Sequence, residues 1–138
     1  MLAFLVLAAV ATAQLSGDDV YQEIAIWRAV KRGLTGDNPA VFWEGTVKGA
    51  LLPGRVDGVE GFFKATVISS EPAEHPKSIV VAISDQTTPE ATLRIHGSLR
   101  DSIAAGSTLR FRGVAEEFRP NPFMLTFEVE PGDVRRTN

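Results

Sequence analysis

The chain has 138 residues, of which 44% are hydrophobic and 22% charged. This length suits one compact domain with its own apolar core, and the composition is that of an ordinary globular protein. The formal net charge is −3, so no overall excess of positive charge is present for binding a nucleic acid backbone. The absence of cysteine excludes disulfides, thiolate metal sites and a cysteine nucleophile.

Residues 1–13 have the pattern of a signal peptide. Residues 2–10 are an apolar run, and Ala11, Thr12 and Ala13 supply the small residues that a signal peptidase accepts. The run is shorter than the roughly 20 residues of a transmembrane helix. We therefore predict cleavage before Gln14, a periplasmic or secreted location, and no lasting membrane anchor. Because no basic residue precedes the run, a buried N-terminal helix is the alternative.

An amphipathic helix is predicted over residues 17–36. Residues 16–19, Ser-Gly-Asp-Asp, can cap its start, and Gly33 or Gly36 can end it. Its apolar face is formed by Val20, Ile24, Trp27 and Leu34. Trp27 then packs either on the β domain that follows or on a partner protein. We favour the first interpretation, because packing within one chain avoids the cost of association.

From residue 39 to residue 130 the hydrophobic period becomes two, which predicts a mainly β domain. The predicted strands cover residues 41–48, 61–69, 78–84, 108–115 and 123–130. Residues 91–95 also alternate and are interpreted as a continuation of the third strand. A short helix is predicted over residues 98–105, and residues 131–138 are predicted to be a flexible tail.

This order of elements resembles that of the oligonucleotide/oligosaccharide-binding (OB) fold, a small five-stranded, partly open antiparallel barrel. The most similar segment is residues 105–113, AGSTLRFRG, where a glycine turn leads into an alternating strand that ends at glycine. The resemblance covers residues 41–130. It implies a ligand surface on the second and third strands, flanked by the loops at residues 51–60 and 116–122. An immunoglobulin-like sandwich is the alternative, but it needs about seven strands.

Two predicted strands carry basic side chains at their polar positions: Arg94, His96, Arg110 and Arg112. If these strands pair, the four side chains form a positive patch suited to a carboxylate, a phosphate or an acidic sugar. The simpler explanation is that charged side chains occupy the solvated face of a sheet.

Five further residues are candidates for ligand binding. Phe62, Lys64 and Thr66 combine an aromatic ring with polar groups on the second strand, which suits sugars and bases. Arg55 and Arg119 lie in the two loops that the OB resemblance implicates. Packing of Phe62 under a loop or under the helix, and ordinary turn chemistry for the two arginines, are the alternative explanations.

The sequence contains no convincing catalytic or metal-binding pattern. His75, Glu71 and Glu74 are possible metal ligands, but they share one loop and lack a second fixed set of ligands. Residues 41–130 carry 9 basic and 12 acidic residues, which argues against nucleic acid as the ligand. We therefore predict an exported, non-catalytic module without cofactor or metal that binds a peptide, a glycan or a partner protein. An assembly accessory that docks through its helix, and a hydrolase, are the alternatives.

Overall fold

The computed structural model describes residues 15–137, with side chains from residue 23 onward. The structure is mainly β, with one long helix before the strands. The predicted signal peptide, residues 1–13, lies outside the described residues. Over the described part of the chain, no helix has both the length and the apolar character needed to cross a membrane.

The long helix, α1 (Leu15–Leu34), lies close to the predicted range of 17–36. Among its described side chains, from residue 23 onward, four are buried at a spacing of four, three and four residues, which is the helical repeat. They are Glu23, Trp27, Val30 and Leu34, with exposed fractions of 3%, 1%, 7% and 0%. Ile24, a member of the predicted apolar face, is only half-buried. The face that packs on the sheet therefore includes an acidic residue in addition to apolar ones.

The prediction of a first strand at residues 41–48 is wrong, because this segment is helical. A short helix, α2 (Pro39–Phe42), leads into a turn of π-helix at Trp43–Val47. Pro39 suits the start of a helix, where its fixed φ angle and missing N–H are tolerated. Trp43 and Val47 are four residues apart, so they share a side of a helix as well as a face of a strand. The alternation alone could not separate the two structures.

Ten strands follow α2 within the described residues. They are β1 (Leu51–Leu52), β2 (Arg55–Val56), β3 (Val59–Glu60), β4 (Phe63–Glu71), β5 (Ser78–Ala82), β6 (Ala91–Ile95), β7 (Thr108–Phe111), β8 (Gly113–Pro120), β9 (Phe123–Val129) and β10 (Val134–Arg136). The predicted strands at 61–69, 78–84 and 123–130 correspond to β4, β5 and β9. Residues 91–95 form a separate strand, β6, and do not continue β5.

Eight strands form one curled, barrel-like sheet in the order β1-β8-β9-β6-β5-β4-β7-β10, and β2 and β3 form a separate hairpin. Neighbours in the large sheet are antiparallel except for β6 and β9. The prediction of a mainly β fold is confirmed, whereas the prediction of five strands is wrong. The sheet gains β6 and two short edge strands, β1 and β10, and the predicted strand at residues 108–115 is divided between β7 and β8.

The bend between β7 and β8 joins two sides of the curled sheet. β7 pairs with β4, whereas β8 pairs with β9, although only Arg112 separates β7 from β8 in the chain. Gly113, directly after the bend, is packed tightly against β9. A Cβ atom at this position would lie 2.7 Å from Val129 Cγ2 and 2.9 Å from the Glu128 carbonyl oxygen. Any side chain there would therefore push β8 away from β9.

The core lies inside the curl and under α1. Phe63, Phe111 and Phe127 are each at most 1% exposed, and their ring centroids lie 5.2–6.3 Å apart. Trp27 meets Phe63 edge to face at 5.6 Å and Phe123 at 6.0 Å. The helix is thus part of the same aromatic core as the strands.

The prediction of a helix at residues 98–105 is wrong, and residues 131–136 of the predicted flexible tail (131–138) have regular secondary structure. Residues 98–105 are irregular, and their Leu99 and Ile103 are buried. These two residues are four positions apart, as on one side of a helix, but here an irregular segment buries them. Residues 131–133 form a 3₁₀ turn, after which β10 pairs with β7.

A buried carboxylate attaches α1 to the sheet. Glu90 is 1% exposed and accepts hydrogen bonds from Lys31 Nζ, from the Ile83 and Ser84 amides and from the Ser84 hydroxyl, at 2.5–3.0 Å. Ser84 Oγ accepts a hydrogen bond from the Trp27 indole N–H at 3.2 Å. Burial raises the pKa of the Glu90 carboxyl, but these hydrogen bonds lower it by more, so the net pKa falls below the ordinary 4.5. Trp27 therefore packs on its own β domain, and it is not exposed for a partner.

Candidate functional site

Three arginines surround the ring of Phe62 and form what we call the arginine cluster: Arg110, Arg112 and Arg135. Their guanidinium carbons lie 5.7, 5.9 and 4.3 Å from the ring centroid, within the range of cation–π interactions. Arg110 and Arg135 are direct cross-strand partners on β7 and β10. Phe62 is 4% exposed, so its ring supports the arginines and is not an open stacking surface.

Two carboxylates form ion pairs with the arginine cluster. The Glu23 oxygens lie 3.0 and 3.1 Å from Arg110 Nη2, and Glu23 also accepts a hydrogen bond from the Phe62 backbone N–H at 2.7 Å. Glu60 lies 2.6 Å from Arg112 Nη1. The Arg112 hydrogen bond and charge hold the pKa of the Glu60 carboxyl below its usual value. The charges of Arg55, its partner across the β2–β3 hairpin, and of Arg135 add to this effect.

A small pocket of about 200 Å³ opens beside the arginine cluster. Its lining combines charged and apolar groups: Glu23, Val56, Val59, Glu60, Gly61, Phe62, Arg110 and Arg135. The Nε–H of Arg110 is buried and has no hydrogen-bond partner. A buried donor without an acceptor is costly, so Arg110, which lines the pocket, has hydrogen-bonding capacity that the protein itself does not use.

The predicted positive patch of Arg94, His96, Arg110 and Arg112 is divided between two places, because β6 and β7 are not neighbours. Arg94, on β6, pairs with exposed carboxylates: its Nε lies 3.0 Å from Glu128 and its Nη2 lies 3.5 Å from Glu117. His96 Nδ1 lies 3.2 Å from Glu130. The two arginines of β7 and the bend instead join the arginine cluster.

The predicted group of Phe62, Lys64 and Thr66 is divided as well. Lys64 and Thr66 lie on the outer face of β4, where they line a shallow pocket of about 300 Å³. Ile24 of α1 and residues 82–86 line the same pocket. Phe62 precedes β4 and belongs to the arginine cluster.

A larger opening, which we call the aromatic groove, has a volume of about 550 Å³. Its lining is Trp43, Lys48, Thr92, Glu116, Glu117, Phe118, Arg119, Met124 and Thr126. The rings of Trp43 and Phe118 are 5.7 Å apart and tilted by 32°. Thr92 and Thr126 are direct partners on the parallel strands β6 and β9, and both side chains line the groove. The Thr92 hydroxyl donates a hydrogen bond to Met124 Sδ at 3.3 Å. Of the predicted binding residues, Arg119 is the one that lines this groove.

Most of the residues that complete these sites are not among the predicted candidates. Glu23 could have been found, because it lies four residues before Trp27 and so on the same side of a helix. Arg135 was assigned to the tail, since β10 has only three residues and too short a pattern to recognise. Trp43 was placed on a strand. Its position against Phe118 depends on the folding of distant segments, for which the sequence carries no local signal.

Comparison of the chain with protein-family models, with curated proteins and with solved structures gave no match. Among the residues that the structure describes, no three histidine, aspartate or glutamate side chains are grouped so that they could hold a metal ion. The interpretation of the arginine cluster and the aromatic groove therefore rests on their geometry.

Proposed function

We propose that the protein is an exported, non-catalytic binding module and that the aromatic groove is its ligand site. The observation that carries this proposal is the combination of two neighbouring aromatic rings with two threonine side chains from adjacent strands in one opening of about 550 Å³. Ligand sites are typically concave, with apolar and aromatic surface and a few polar groups that fix orientation.

We also propose that β4, β5, β6, the bent pair β7–β8, and β9 form an OB-like barrel. The curled sheet and the bend that joins its two sides support this assignment. In OB folds, ligands bind on the second and third strands and beside the loop between the last two. With β4 as the first strand, these positions correspond to β5, β6 and the β8–β9 turn. Thr92 of β6 and the β8–β9 hairpin both line the aromatic groove.

The chemistry of the groove favours a short peptide or a glycan. Its four charged residues are two basic and two acidic, so they provide no net attraction for a polyanion: Lys48, Arg119, Glu116 and Glu117. Aromatic rings offer flat apolar surface for a sugar ring or an apolar side chain. The Thr126 hydroxyl can both donate and accept a hydrogen bond, whereas the Thr92 hydroxyl donates to Met124 Sδ and can still accept one.

Binding of the purified chain to glycan and peptide arrays tests this proposal, with Trp43→Ala as the key variant. Val41→Ala is the control, because Val41 is 69% exposed on the same helical segment and does not line the groove. Truncation of a central aromatic contact should weaken binding by at least about tenfold. Retention of full affinity by folded Trp43→Ala would refute the groove as the site. Mass analysis of the recovered ligand checks that it is released unchanged, as a non-catalytic module requires.

The proposed export has its own test. The intact mass of the chain recovered from the extracytoplasmic fraction should correspond to a protein that begins at Gln14, because the peptidase acts after the small residues 11–13. Recovery of the full chain from the cytoplasm alone would contradict export and leave the proposal for the groove unaffected.

A further inference from the structure

The arginine cluster brings three guanidinium groups together around one aromatic ring. Arg110 and Arg135 are opposite each other on adjacent strands, an arrangement that is unfavourable for like charges. Glu23 and Glu60 pair with Arg110 and Arg112. Even if Asp57 of the same hairpin is counted as a third carboxylate, Arg55 adds a fourth guanidinium group to this region. The local field is therefore suited to one additional anion.

From this arrangement we propose that the pocket beside the arginine cluster binds a small carboxylate carried on an apolar stem. Arginine recognises carboxylates through paired, charge-assisted hydrogen bonds, and two arginines line the pocket. The buried Arg110 Nε–H lacks an acceptor. Val56 and Val59 line the same pocket, and Val59 is 63% exposed, which leaves apolar surface for the stem. A volume of about 200 Å³ fits a group of the size of an amino acid.

The basic side of the pocket is held in place before any ligand arrives. The side chain of Glu23 is 4% exposed and fixes Arg110, while the Phe62 backbone N–H fixes Glu23. Arg135 is supported by the Phe62 ring at 4.3 Å. Preorganised donors lose little freedom when a ligand binds, which favours affinity for a small anion.

Glu60 acts as a built-in competitor for the incoming carboxylate. Its side chain is 55% exposed and lies on a hairpin strand of two residues, in contrast to the buried Glu23. It lines the pocket and occupies Arg112. A ligand carboxylate that displaces Glu60 would gain a further guanidinium partner. Removal of this charge should therefore strengthen binding, whereas a purely structural ion pair predicts only a loss of stability.

The test is calorimetric titration of the full chain with N-acetyl-leucine, with N-acetyl-leucinamide as the uncharged match and inorganic phosphate as an anion without a stem. N-acetyl-leucine should bind at least about tenfold more tightly than either comparison ligand. Glu60→Gln should strengthen the binding of N-acetyl-leucine about two- to fivefold, because the ligand no longer competes with an exposed ion pair of typical strength. Glu128→Gln is the control, because Glu128 pairs with Arg94 on another part of the sheet.

A second pair of variants tests the basic side without disturbing the buried Glu23. Arg135→Gln should weaken the binding of N-acetyl-leucine several-fold, whereas Arg136→Gln, at the next and equally exposed position, should leave it unchanged. Equal binding of the acid and its amide would overturn the proposal, as would weaker binding by folded Glu60→Gln. Phosphate that binds as tightly as N-acetyl-leucine would overturn the role assigned to the apolar stem.

Discussion

Substitution of Trp27 by alanine tests whether α1 is part of the folded core. The side chain is 1% exposed, contacts Phe63 and Phe123 edge to face, and donates a hydrogen bond to Ser84. Replacement of a large buried aromatic side chain by alanine typically lowers the free energy of unfolding by about 3–5 kcal/mol. Since domains of this size are stable by about 5–15 kcal/mol, Trp27→Ala should lose a large part of the stability.

Urea unfolding followed by circular dichroism measures this effect. With an m-value of about 2 kcal/mol per molar urea, a loss of about 4 kcal/mol lowers the unfolding midpoint by about 2 M. Trp27→Phe is the matched control, because it keeps an aromatic ring and removes the hydrogen bond to Ser84. Loss of this hydrogen bond should lower the free energy of unfolding by about 1 kcal/mol. A midpoint for Trp27→Ala within about 0.3 M of the unmodified chain would refute the packing of α1 on the sheet.

Two further predictions concern stability. The pKa of Glu90 is lower in the folded chain than the ordinary value of 4.5. The ionised carboxylate therefore stabilises the fold at a pH above 4.5, and this stabilisation is lost as the pH falls through the folded-state pKa. Glu90→Gln should therefore flatten the acid side of a stability–pH profile, and an unchanged profile would contradict the assignment. Gly113→Ala should cost about 1–3 kcal/mol, because its Cβ atom would meet the β9 backbone, whereas Gly132→Ala, which has open space, should stay within about 0.5 kcal/mol in the same assay.

The parts of the fold that sequence predicts well are those in which local pattern and burial agree. Every second residue is buried over residues 63–67 of β4 and over residues 125–129 of β9, so the period of two identifies both strands. Residues 41–48 alternate as well, but Trp43 and Val47 also fit a helix, and the proline at position 39 favoured the helical start. A period is therefore informative only when it is long enough to exclude the other repeat.

The candidate sites were harder to predict, because they depend on contacts between distant residues. The buried Glu23 carboxylate pairs with Arg110, which lies 87 residues later in the chain, and no local feature of the sequence indicates this pairing. Arg110 and Arg112 were recognised as candidates from their polar positions. Their true neighbours could not be derived, because strand order decides which side chains meet, and β6 and β7 are not adjacent.

The order of strands in the sheet also determines how late during synthesis the protein can fold. β4 pairs with β7, and β6 pairs with β9, which both come much later in the chain. One edge of each early strand therefore stays unpaired until residues 108–129 have been synthesised. A chain made from its N-terminus onward therefore spends most of its own translation without a complete barrel wall. Truncation of the chain before residue 108 would therefore leave β4 and β6 each with an unpaired edge, which favours aggregation of the shortened chain.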